Sequence, residues 1–475
     1  GDGLLSATAT IGRTDENILH ITSTDTNSFN NSNYDLFFTQ GIAHAQERLW
    51  QMEFQRAVGS GRLGELTGLN DAVVKIDKLA RTMNFYGHAQ ESLAGLTARS
   101  QQIIRAYCDG VNAYLSSKAL RLPIEFIVLG LDRPRDWVPA DVLVWTKIVS
   151  YMLSGNLDNE LQRWDLLMLL NVDKERIDSL LPKYDATKFP IILEGEIPDS
   201  DMNGHNHSKQ PKREPIFDWL ATPTGQDYKK KMAKAAHGGL SKSTPFAAFR
   251  KMFGPSTASN NWVISGNRTK SGKPIMANDP HLQLMAPSIW ILNRLSSPSF
   301  TAIGASFVGV PGVIIGHNND ISWSVTNVGA DVQDLFIMDE LNHTHYKHNN
   351  KIYEYTIRRE VISVKHDDDI VMDVREASQY GPVISDLGTS FRPYDLSNGP
   401  SLALRWTSLD STDTTFDAFL LINTATNWNE FQSALRYYRA PSQNMIYADR
   451  DGNIGYTTTG IVPIRPDDGT GLYPT

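Results

Sequence analysis

The hydrophobic pattern of the chain changes its period across a polar segment, and this change restricts the fold more than any other feature. Over residues 1–195, apolar side chains recur at helical spacing, as they do from Phe37 to Val58, where Gly59-Ser60-Gly61 ends the run. From Asn260 onward, short β-branched and aromatic runs separated by turn residues replace this pattern. The sequence therefore predicts a helical portion followed by a sheet-rich portion, an α+β fold.

Individual segments of the sequence predict particular helices and strands. The other helical patterns cover residues 100–116, 140–153 and 159–170, and the strand candidates are 262–264, 273–276, 300–303, 313–315 and 321–325. Residues 445–447 and 454–456 are joined by Asp451-Gly452-Asn453, which predicts a β-hairpin with a primed turn.

The polar segment between the two portions covers residues 196–258. It contains Pro211-Lys212-Arg213, Lys229-Lys230-Lys231 and Gly238-Gly239, with little apolar periodicity. Such a segment buries too little apolar surface to offset the entropy lost on ordering. We therefore expect a mobile linker and a site of cleavage.

Composition excludes several classes of function. Lys and Arg number 45 against 53 Asp and Glu, so the net charge is −8, whereas nucleic-acid-binding domains usually carry a basic excess. No apolar run of about 18 residues is present, so no membrane span is predicted. Cys108 is the single cysteine, which rules out an intrachain disulfide and thiol-rich metal sites.

Two short motifs have structural interpretations. The glycines from Gly59 to Gly64 match the dinucleotide-binding spacing, but they follow a helix, whereas that fingerprint must follow a strand. Asp367-Asp368-Asp369 lies between two apolar runs, and we interpret it as a solvated hairpin turn rather than an ion site. Neither motif predicts a cofactor.

The junction between the linker and the first strand has the features of an N-terminal nucleophile. Ala258 is followed by Ser259-Asn260-Asn261-Trp262, so cleavage before Ser259 would place a free amine on the residue that carries the hydroxyl. An α-amino group titrates near pH 7.7–8.0, within the range where a general base is effective. One residue could then supply both nucleophile and base, as in the N-terminal Thr variant of the catalytic triad.

At this point the chain resembles the penicillin acylase family of N-terminal nucleophile hydrolases, which includes cephalosporin and acyl-homoserine lactone acylases. The resemblance extends over nearly the whole chain. Its motifs are His44 to Glu53, Gly61 to Glu65, Pro123 to Phe126, Ser259 to Trp262, Asn278 to His281, His317 to Trp323 and Pro441 to Met445.

The resemblance implies a four-layer αββα fold, produced as a single-chain precursor and cleaved into two chains that stay together as a heterodimer. Residues 1–195 would be the helical α-chain, 196–258 the spacer removed on maturation, and 259–475 the first part of the β-chain. The reaction implied is hydrolysis of a small N-acyl amide, and the location implied is extracellular or periplasmic.

Three catalytic residues are implied by position. Ser259 matches the family's nucleophile, with its own amine as the base. His281 stands where penicillin G enzymes have Gln and where cephalosporin and lactone acylases have His; its side chain would lie beside the nucleophile and its backbone would help to hold the amine. Asn327 matches the residue whose backbone N–H forms one half of the oxyanion hole.

A calcium site is also implied by the resemblance. Its ligands would be the carboxylates of Glu160, Asp331 and Asp334 and the backbone carbonyls of Gln333 and Pro463. Oxygen ligands from both portions suit calcium and would clamp the two chains together after cleavage.

Each residue has a less specific interpretation when taken alone. Ser259 could be an ordinary strand-entry residue, His281 a turn histidine, and Asp331 and Asp334 loop acceptors. A rival function is a catalytically inactive family member with a binding or structural role. Residues 259–475 are also shorter than the family's β-chains, and the second oxyanion donor would lie past Thr475, so we expect a fragment that lacks the C-terminal part and is itself inactive.

Overall fold

Helices dominate the first half of the described chain and strands the second. The computed structural model describes residues 8–24, 33–169, 174–179, 220–236, 259–282, 285–390 and 400–465. The helices are α1 (Tyr34–Ser60), α2 (Leu63–Thr67), α3 (Asp71–Thr82), α4 (Phe85–Gly95), α5 (Ala98–Leu115), α6 (Ile124–Val128), α7 (Pro139–Leu153), α8 (Asn156–Leu169), α9 (Lys174–Ser179), α10 (Pro223–Ala236), α11 (Thr415–Thr424) and α12 (Trp428–Leu435).

The strands form one large sheet and four small ones. They are β1 (Ala9–Arg13), β2 (Leu19–Ser23), β3 (Asn260–Ile264), β4 (Ile275–Asp279), β5 (Trp290–Ser297), β6 (Phe300–Phe307), β7 (Ile315–His317), β8 (Ile321–Asn327), β9 (Gln333–Ile337), β10 (Asp339–Asn342), β11 (His345–His348), β12 (Lys351–Glu354), β13 (Thr356–Ile362), β14 (Ile370–Ala377), β15 (Gly381–Pro382), β16 (Leu402–Trp406), β17 (Gln443–Asp449) and β18 (Ile454–Thr459). The large sheet has the order β1-β2-β5-β6-β7-β8-β17-β18. The small sheets are β3-β4, β16-β9, β10-β11-β12 and β13-β14-β15.

The long helix α1 ends where the sequence predicts. Gly61 adopts a left-handed φ of 62°, and the next amide, from Arg62, donates to Ala57 O at 2.8 Å. This pattern satisfies the last carbonyls of a helix and favours glycine. Gly61 thus stops the helix, and the motif follows a helix rather than a strand, which confirms its structural interpretation.

Two glycines allow α1 and α5 to pack closely. A Cβ atom at Gly41 would collide with the backbone carbonyl of Tyr107, and one at Gly110 would collide with that of Phe38. The helices α1 and α7 also contact each other, and α1 packs on β1, β2 and β5. A continuous core of buried side chains therefore extends from the helical layer into the large sheet.

His44, in the first motif of the resemblance, belongs to this core. Its side chain is fully buried, and Nδ1 lies 2.8 Å from the hydroxyl of Tyr107 on α5. Burial, with a smaller contribution from Arg48, lowers the pKa of His44 to about 3. The imidazole is therefore neutral, and its role is packing between α1 and α5.

The structure corrects one of the two predicted turns and confirms the other. The hairpin β17–β18 is confirmed, but the primed turn is wrong: in its loop, residues 450–452, only Gly452 takes a positive φ (102°), and its amide donates to Asp449 O at 3.2 Å. This is a three-residue loop, in which a glycine follows an ordinary turn. The segment from Asp367 to Asp369 joins β13 and β14, as predicted.

The predicted spacer contains a helix. The helix α10 lies within residues 196–258 and contacts α8, and Leu220, just before it, is only 7% exposed. The run of three lysines in α10 suggested a linker because lysine-rich segments are usually solvated. The remaining residues of 196–258 lie outside the described residues.

The mixture of helix and sheet confirms the α+β class. The four-layer αββα arrangement and the missing C-terminal part stay predictions. Among the described residues, no helix is both long and apolar enough to cross a bilayer.

Candidate active site

The hairpin β3–β4 positions Ser259. Ser259 directly precedes β3, and the strands pair antiparallel with Asn260 opposite Asp279, so the residues after β4 return to the start of β3. The amide of His281 donates to Ser259 Oγ at 3.1 Å. The turn into β3 and the exit from β4 thus form one contact at the hydroxyl.

The imidazole of His281 has a different partner from its backbone. Its Nε2 lies 2.7 Å from Asp279 Oδ2, and the side chain is 40% exposed. The structure therefore places the backbone N–H of His281 at the Ser259 hydroxyl and the imidazole next to a carboxylate. The expected role of the imidazole beside the nucleophile stays a prediction.

The hairpin joins β8 through two asparagine side chains. Asn278 Oδ1 accepts from Val325 N at 3.1 Å, and Asn278 Nδ2 donates to Val325 O at 3.0 Å. Asn261 Nδ2 donates to Ser324 Oγ at 3.3 Å. These contacts bring the start of β3 to the middle of β8.

Asn327 lies at the end of β8 with its backbone N–H directed toward the hairpin side. The amide of Val328 donates to Ser442 O at 3.3 Å. This bond shows which residues of β8 are hydrogen-bonded to β17: every second residue counted back from Val328. Because bonded and non-bonded pairs alternate in antiparallel ladders, the N–H groups of Asn327 and Val325 point away from β17. The amide of Val325 meets Asn278 on that side, and the Asn327 side chain donates to Leu153 O at 2.8 Å.

An apolar pocket opens next to Ser259 and Asn327. Its volume is about 70 Å³, and its walls come from α7, β5, β6, β8, α11 and the segment before β17. Trp290 and Phe307 stack at a centroid distance of 4.4 Å in one wall, and Phe416 and Phe419 of α11 form part of another. The described lining residues include no Asp, Glu, Lys, Arg or His. The pocket can therefore hold an uncharged apolar group beside the hydroxyl.

A buried ion pair supports the wall formed by α7 and α11. Lys147 Nζ lies 2.7 Å from Asp413 Oδ2 and donates to Ser408 O at 2.8 Å. Burial opposes ionisation of Asp413, but Lys147 and the hydrogen bonds from Thr415 together outweigh it and lower the pKa of this carboxyl. Asp413 Oδ1 accepts from the amide of Thr415, so the pair holds the start of α11 at the pocket.

Glu160 on α8 lies against β9, which carries the expected ligands Gln333 and Asp334. Glu160 is fully buried; its Oε2 accepts from Leu335 N at 3.1 Å, and its Oε1 has no hydrogen-bond partner among the described residues. Thr407 N donates to Val332 O, so the ladder phase directs the Gln333 carbonyl away from β16, on the side of Glu160. Burial and the nearby Asp334 raise the pKa of Glu160 well above its ordinary value.

Arg465 competes for two of these carboxylates. Its Nε donates to Asp334 Oδ1 at 2.8 Å, and a terminal nitrogen lies 3.1 Å from Asp331 Oδ1. Burial nevertheless raises the pKa of Asp331 to about 6. Pro463 is half-buried, two residues before Arg465. Within the described residues, no three His, Cys, Asp or Glu side chains are spaced to hold a metal ion. The buried free oxygen of Glu160 fits a cation, and calcium stays a prediction.

Comparison with known sequences defines the class of protein. The sequence model of the penicillin amidase family matches residues 8–475, so the chain belongs to the penicillin amidase family.

The relatives include an acyl-homoserine lactone acylase and penicillin acylases. An acyl-homoserine lactone acylase, QuiP, from Pseudomonas aeruginosa is 30% identical over 448 residues, covering 93% of this chain and 48% of the relative. A penicillin acylase 2 proenzyme from Pseudomonas sp. is 29% identical, covering 91% and 50%. Penicillin G acylase from Escherichia coli is 26% identical, covering 93% and 54%. The chain thus spans about half the length of the curated relatives that it matches.

A solved structure is also similar. Thermostable penicillin G acylase from Alcaligenes faecalis is 26% identical, with a TM-score of 0.40, covering 44% of this chain and 36% of that chain.

Asn278 and the aromatic pocket wall were not identified as site residues from sequence. Asn278 begins the motif Asn278 to His281, which was the available signal, but its place opposite Asn261 follows only from the pairing of β3 with β4. The pocket residues come from elements far apart in sequence, and no local pattern brings them together.

Proposed function

We propose that this protein is an N-acyl amide hydrolase of the penicillin acylase type, activated by cleavage of the bond between Ala258 and Ser259. The observation that carries this proposal is the placement of Ser259 and Asn327 on the wall of one apolar pocket. A hydroxyl and a backbone N–H directed to the same side are the two groups that acyl transfer needs. Ala258 itself lies outside the described residues.

The reaction then follows from these groups. Ser259 Oγ attacks the carbonyl carbon of the amide, and the α-amine released by cleavage takes the hydroxyl proton. The N–H of Asn327 stabilises the oxyanion; losing one such donor typically costs about 2.7–4 kcal/mol. The C–N bond breaks, the amine departs with the proton, and water attacks the acyl ester to release the acid.

The lining of the pocket supports an uncharged apolar acyl group. A carboxylate at the far end of the acyl chain would lose its hydration without meeting a charged partner among the described lining residues. An aliphatic or aromatic acyl group would instead gain from burial against Trp290, Phe307 and Phe416.

Contacts between the two portions support a heterodimer after cleavage. Gln40 on α1 bonds to Asn293 on β5, and Lys147 on α7 pairs with Asp413, so core contacts join residues on both sides of the cut. Calcium, if bound through Glu160 and Asp331, would add an electrostatic clamp at the α8–β9 junction. Location outside the cytoplasm remains part of the proposal that rests on the resemblance.

Intact-mass analysis with N-terminal sequencing tests the processing step. Expressed from its complete reading frame, the protein should yield a chain that begins Ser-Asn-Asn-Trp, and Ser259→Ala should stay uncleaved. Ser271→Ala, a change in an exposed turn, is the matched control and should be processed normally. A folded protein that hydrolyses amides while remaining one chain would contradict the proposed base.

A substrate pair tests the pocket. Hexanoyl and glutaryl p-nitroanilides present acyl groups of similar length, and only the glutaryl group carries a terminal carboxylate. We expect the hexanoyl compound to have the higher kcat/KM by about tenfold or more, because the charged end is desolvated without a partner. Absence of hydrolysis with both, in correctly processed protein, would favour a binding or structural role.

A further inference from the structure

The hairpin that carries Ser259 is attached to the large sheet by side chains. The strands β3 and β4 form a two-stranded sheet of their own, beside β8. The hydrogen bonds from the hairpin to β8 come from the amides of Asn278 and Asn261. The position of the nucleophile relative to β8 therefore depends on these amides.

Asn278 uses both ends of its amide. Its oxygen accepts from Val325 N at 3.1 Å, and its nitrogen donates to Val325 O at 3.0 Å and to Asn260 O at 3.2 Å. Two bonds to one residue mimic a hydrogen-bonded pair in a ladder, with the side chain in place of a strand. Such a contact fixes orientation as well as distance.

The two residues that Asn278 binds lie next to the two proposed reacting groups. Asn260 directly follows Ser259. Val325 precedes Asn327 by two residues on the same strand, and both direct their N–H groups to the hairpin side. One side chain thus spans the short path between the nucleophile and the oxyanion donor.

Asn261 provides a weaker connection. It contributes one bond, in which its Nδ2 donates to the hydroxyl oxygen of Ser324 at 3.3 Å. A single bond of this kind allows the hairpin to pivot, whereas the paired bonds of Asn278 do not.

We propose that Asn278 is a positioning residue, whose amide sets the separation between the Ser259 hydroxyl and the N–H of Asn327. This inference rests on the proposed function of those two groups. Without the amide, the hairpin keeps its own ladder but loses its fixed orientation on β8. Because a displacement of about 1 Å can reduce turnover about 100-fold, the effect falls on kcat rather than on the apolar pocket that binds the acyl group.

The test compares Asn278→Leu, Asn278→Asp and Asn429→Leu in the complete, processed protein. Leucine removes the amide at similar volume, aspartate keeps an acceptor for Val325 N but loses the donor, and Asn429 is an exposed residue of α12 that serves as the matched control. We expect kcat to fall about 10- to 100-fold in Asn278→Leu, less in Asn278→Asp, and not in Asn429→Leu, with KM within about twofold of wild type throughout.

Amide hydrogen exchange measures the contact without relying on catalysis. In Asn278→Leu the amide of Val325 should exchange about tenfold faster or more, whereas that of Thr326, which points to β17, should be unchanged. Unchanged exchange at Val325, or equal acceleration at both amides, would overturn the proposal, and so would lost protection at Val325 with full kcat. If wild-type protein hydrolyses no amide, the proposed function fails, and the exchange at Val325 still decides whether Asn278 holds the hairpin.

Discussion

Two antiparallel strand pairs lie side by side at the candidate active site, and they are stabilised in opposite ways. In β8 and β17, five of seven residues in each strand are buried. In β3 and β4, every residue is half-buried or exposed. Asn327, the proposed oxyanion donor, thus ends a strand of the core, whereas Ser259, the proposed nucleophile, precedes a strand pair with little buried surface.

Because of this difference, the contacts that stabilise the whole domain are separate from those that position the hairpin. A strand buried on both faces contributes to the free energy of unfolding of the whole domain, whereas a half-exposed hairpin opens at lower cost. The hairpin is located on β8 by directional side-chain bonds rather than by apolar burial. Substitutions in β8 should therefore unfold the protein, and those in the hairpin should change activity first.

The largest effect is expected from Trp323→Ala in β8. Trp323 is 1% exposed, and its indole N–H donates to Ile314 O at 3.0 Å. Truncation leaves a cavity and an unpaired carbonyl, so the free energy of unfolding should fall by about 3–5 kcal/mol. Urea denaturation monitored by far-UV circular dichroism, which does not depend on tryptophan fluorescence, measures this loss. A loss below about 1 kcal/mol would contradict the conclusion that burial of β8 contributes strongly to the free energy of unfolding.

A smaller effect is expected from Asp77→Asn in the helical part of the core. Both carboxylate oxygens of Asp77 accept backbone amides, from Leu63 at 2.8 Å and Gly64 at 2.7 Å. An amide group would turn one acceptor into a donor facing another donor, so we expect a loss of about 1–3 kcal/mol at neutral pH. Thermal and urea unfolding measure it, with exposed Asp71→Asn as the matched control.

The cost of Asp77→Asn should also depend on pH. Burial outweighs the two backbone hydrogen bonds and raises the pKa of Asp77 to about 6. A raised pKa means that the folded state holds the proton more tightly, so this contribution is complete below pH about 3.8 and is lost as pH rises through 6. The asparagine cannot take up a proton. The difference between wild type and variant should therefore be about 1 kcal/mol larger at pH 5 than at pH 7.5, and a difference independent of pH would contradict it.

Calcium should have a still smaller effect, at the junction of α8 and β9. If Glu160 and the neighbouring carboxylates bind calcium, added calcium chloride should raise Tm by about 2 °C relative to EGTA. Glu160→Gln should remove the shift, whereas Glu354→Gln, an exposed change on β12, should keep it. An equal shift in both variants would place calcium elsewhere, and no shift in wild type would leave Arg465 as the cation of this cluster.

Local sequence patterns predicted the elements of the core. Helical periodicity located α1, α5, α7 and α8, and Gly61 marked the end of α1, because these signals depend on a few neighbouring residues. The hairpin turn at Gly452 was predicted with the wrong geometry because the same residues suit two turn types. The helix α10 was missed because its contacts are with α8, which is distant in sequence, and the polar composition of its own segment gave no helical signal.

The assembly of the site depends on distant contacts that sequence alone does not reveal. The motifs named Ser259, His281 and Asn327, but which group of His281 meets the hydroxyl depends on the register of β3 and β4. The pairing of Arg465 with Asp331 and Asp334 depends on where the chain runs after β18. Neither relation has a fixed spacing in sequence.

The smallest effect on stability is expected from Trp262→Ala, the counterpart of Trp323→Ala on the hairpin. Trp262 occupies a strand, as Trp323 does, but it is 48% exposed. Less buried surface is lost, so the free energy of unfolding should fall by less than about 1 kcal/mol in the same urea experiment. A loss equal to that of Trp323→Ala would show that apolar burial, rather than the amide of Asn278, holds the hairpin in place. One substitution at each tryptophan therefore measures how far the hairpin that carries Ser259 is stabilised independently of the core strand that carries Asn327.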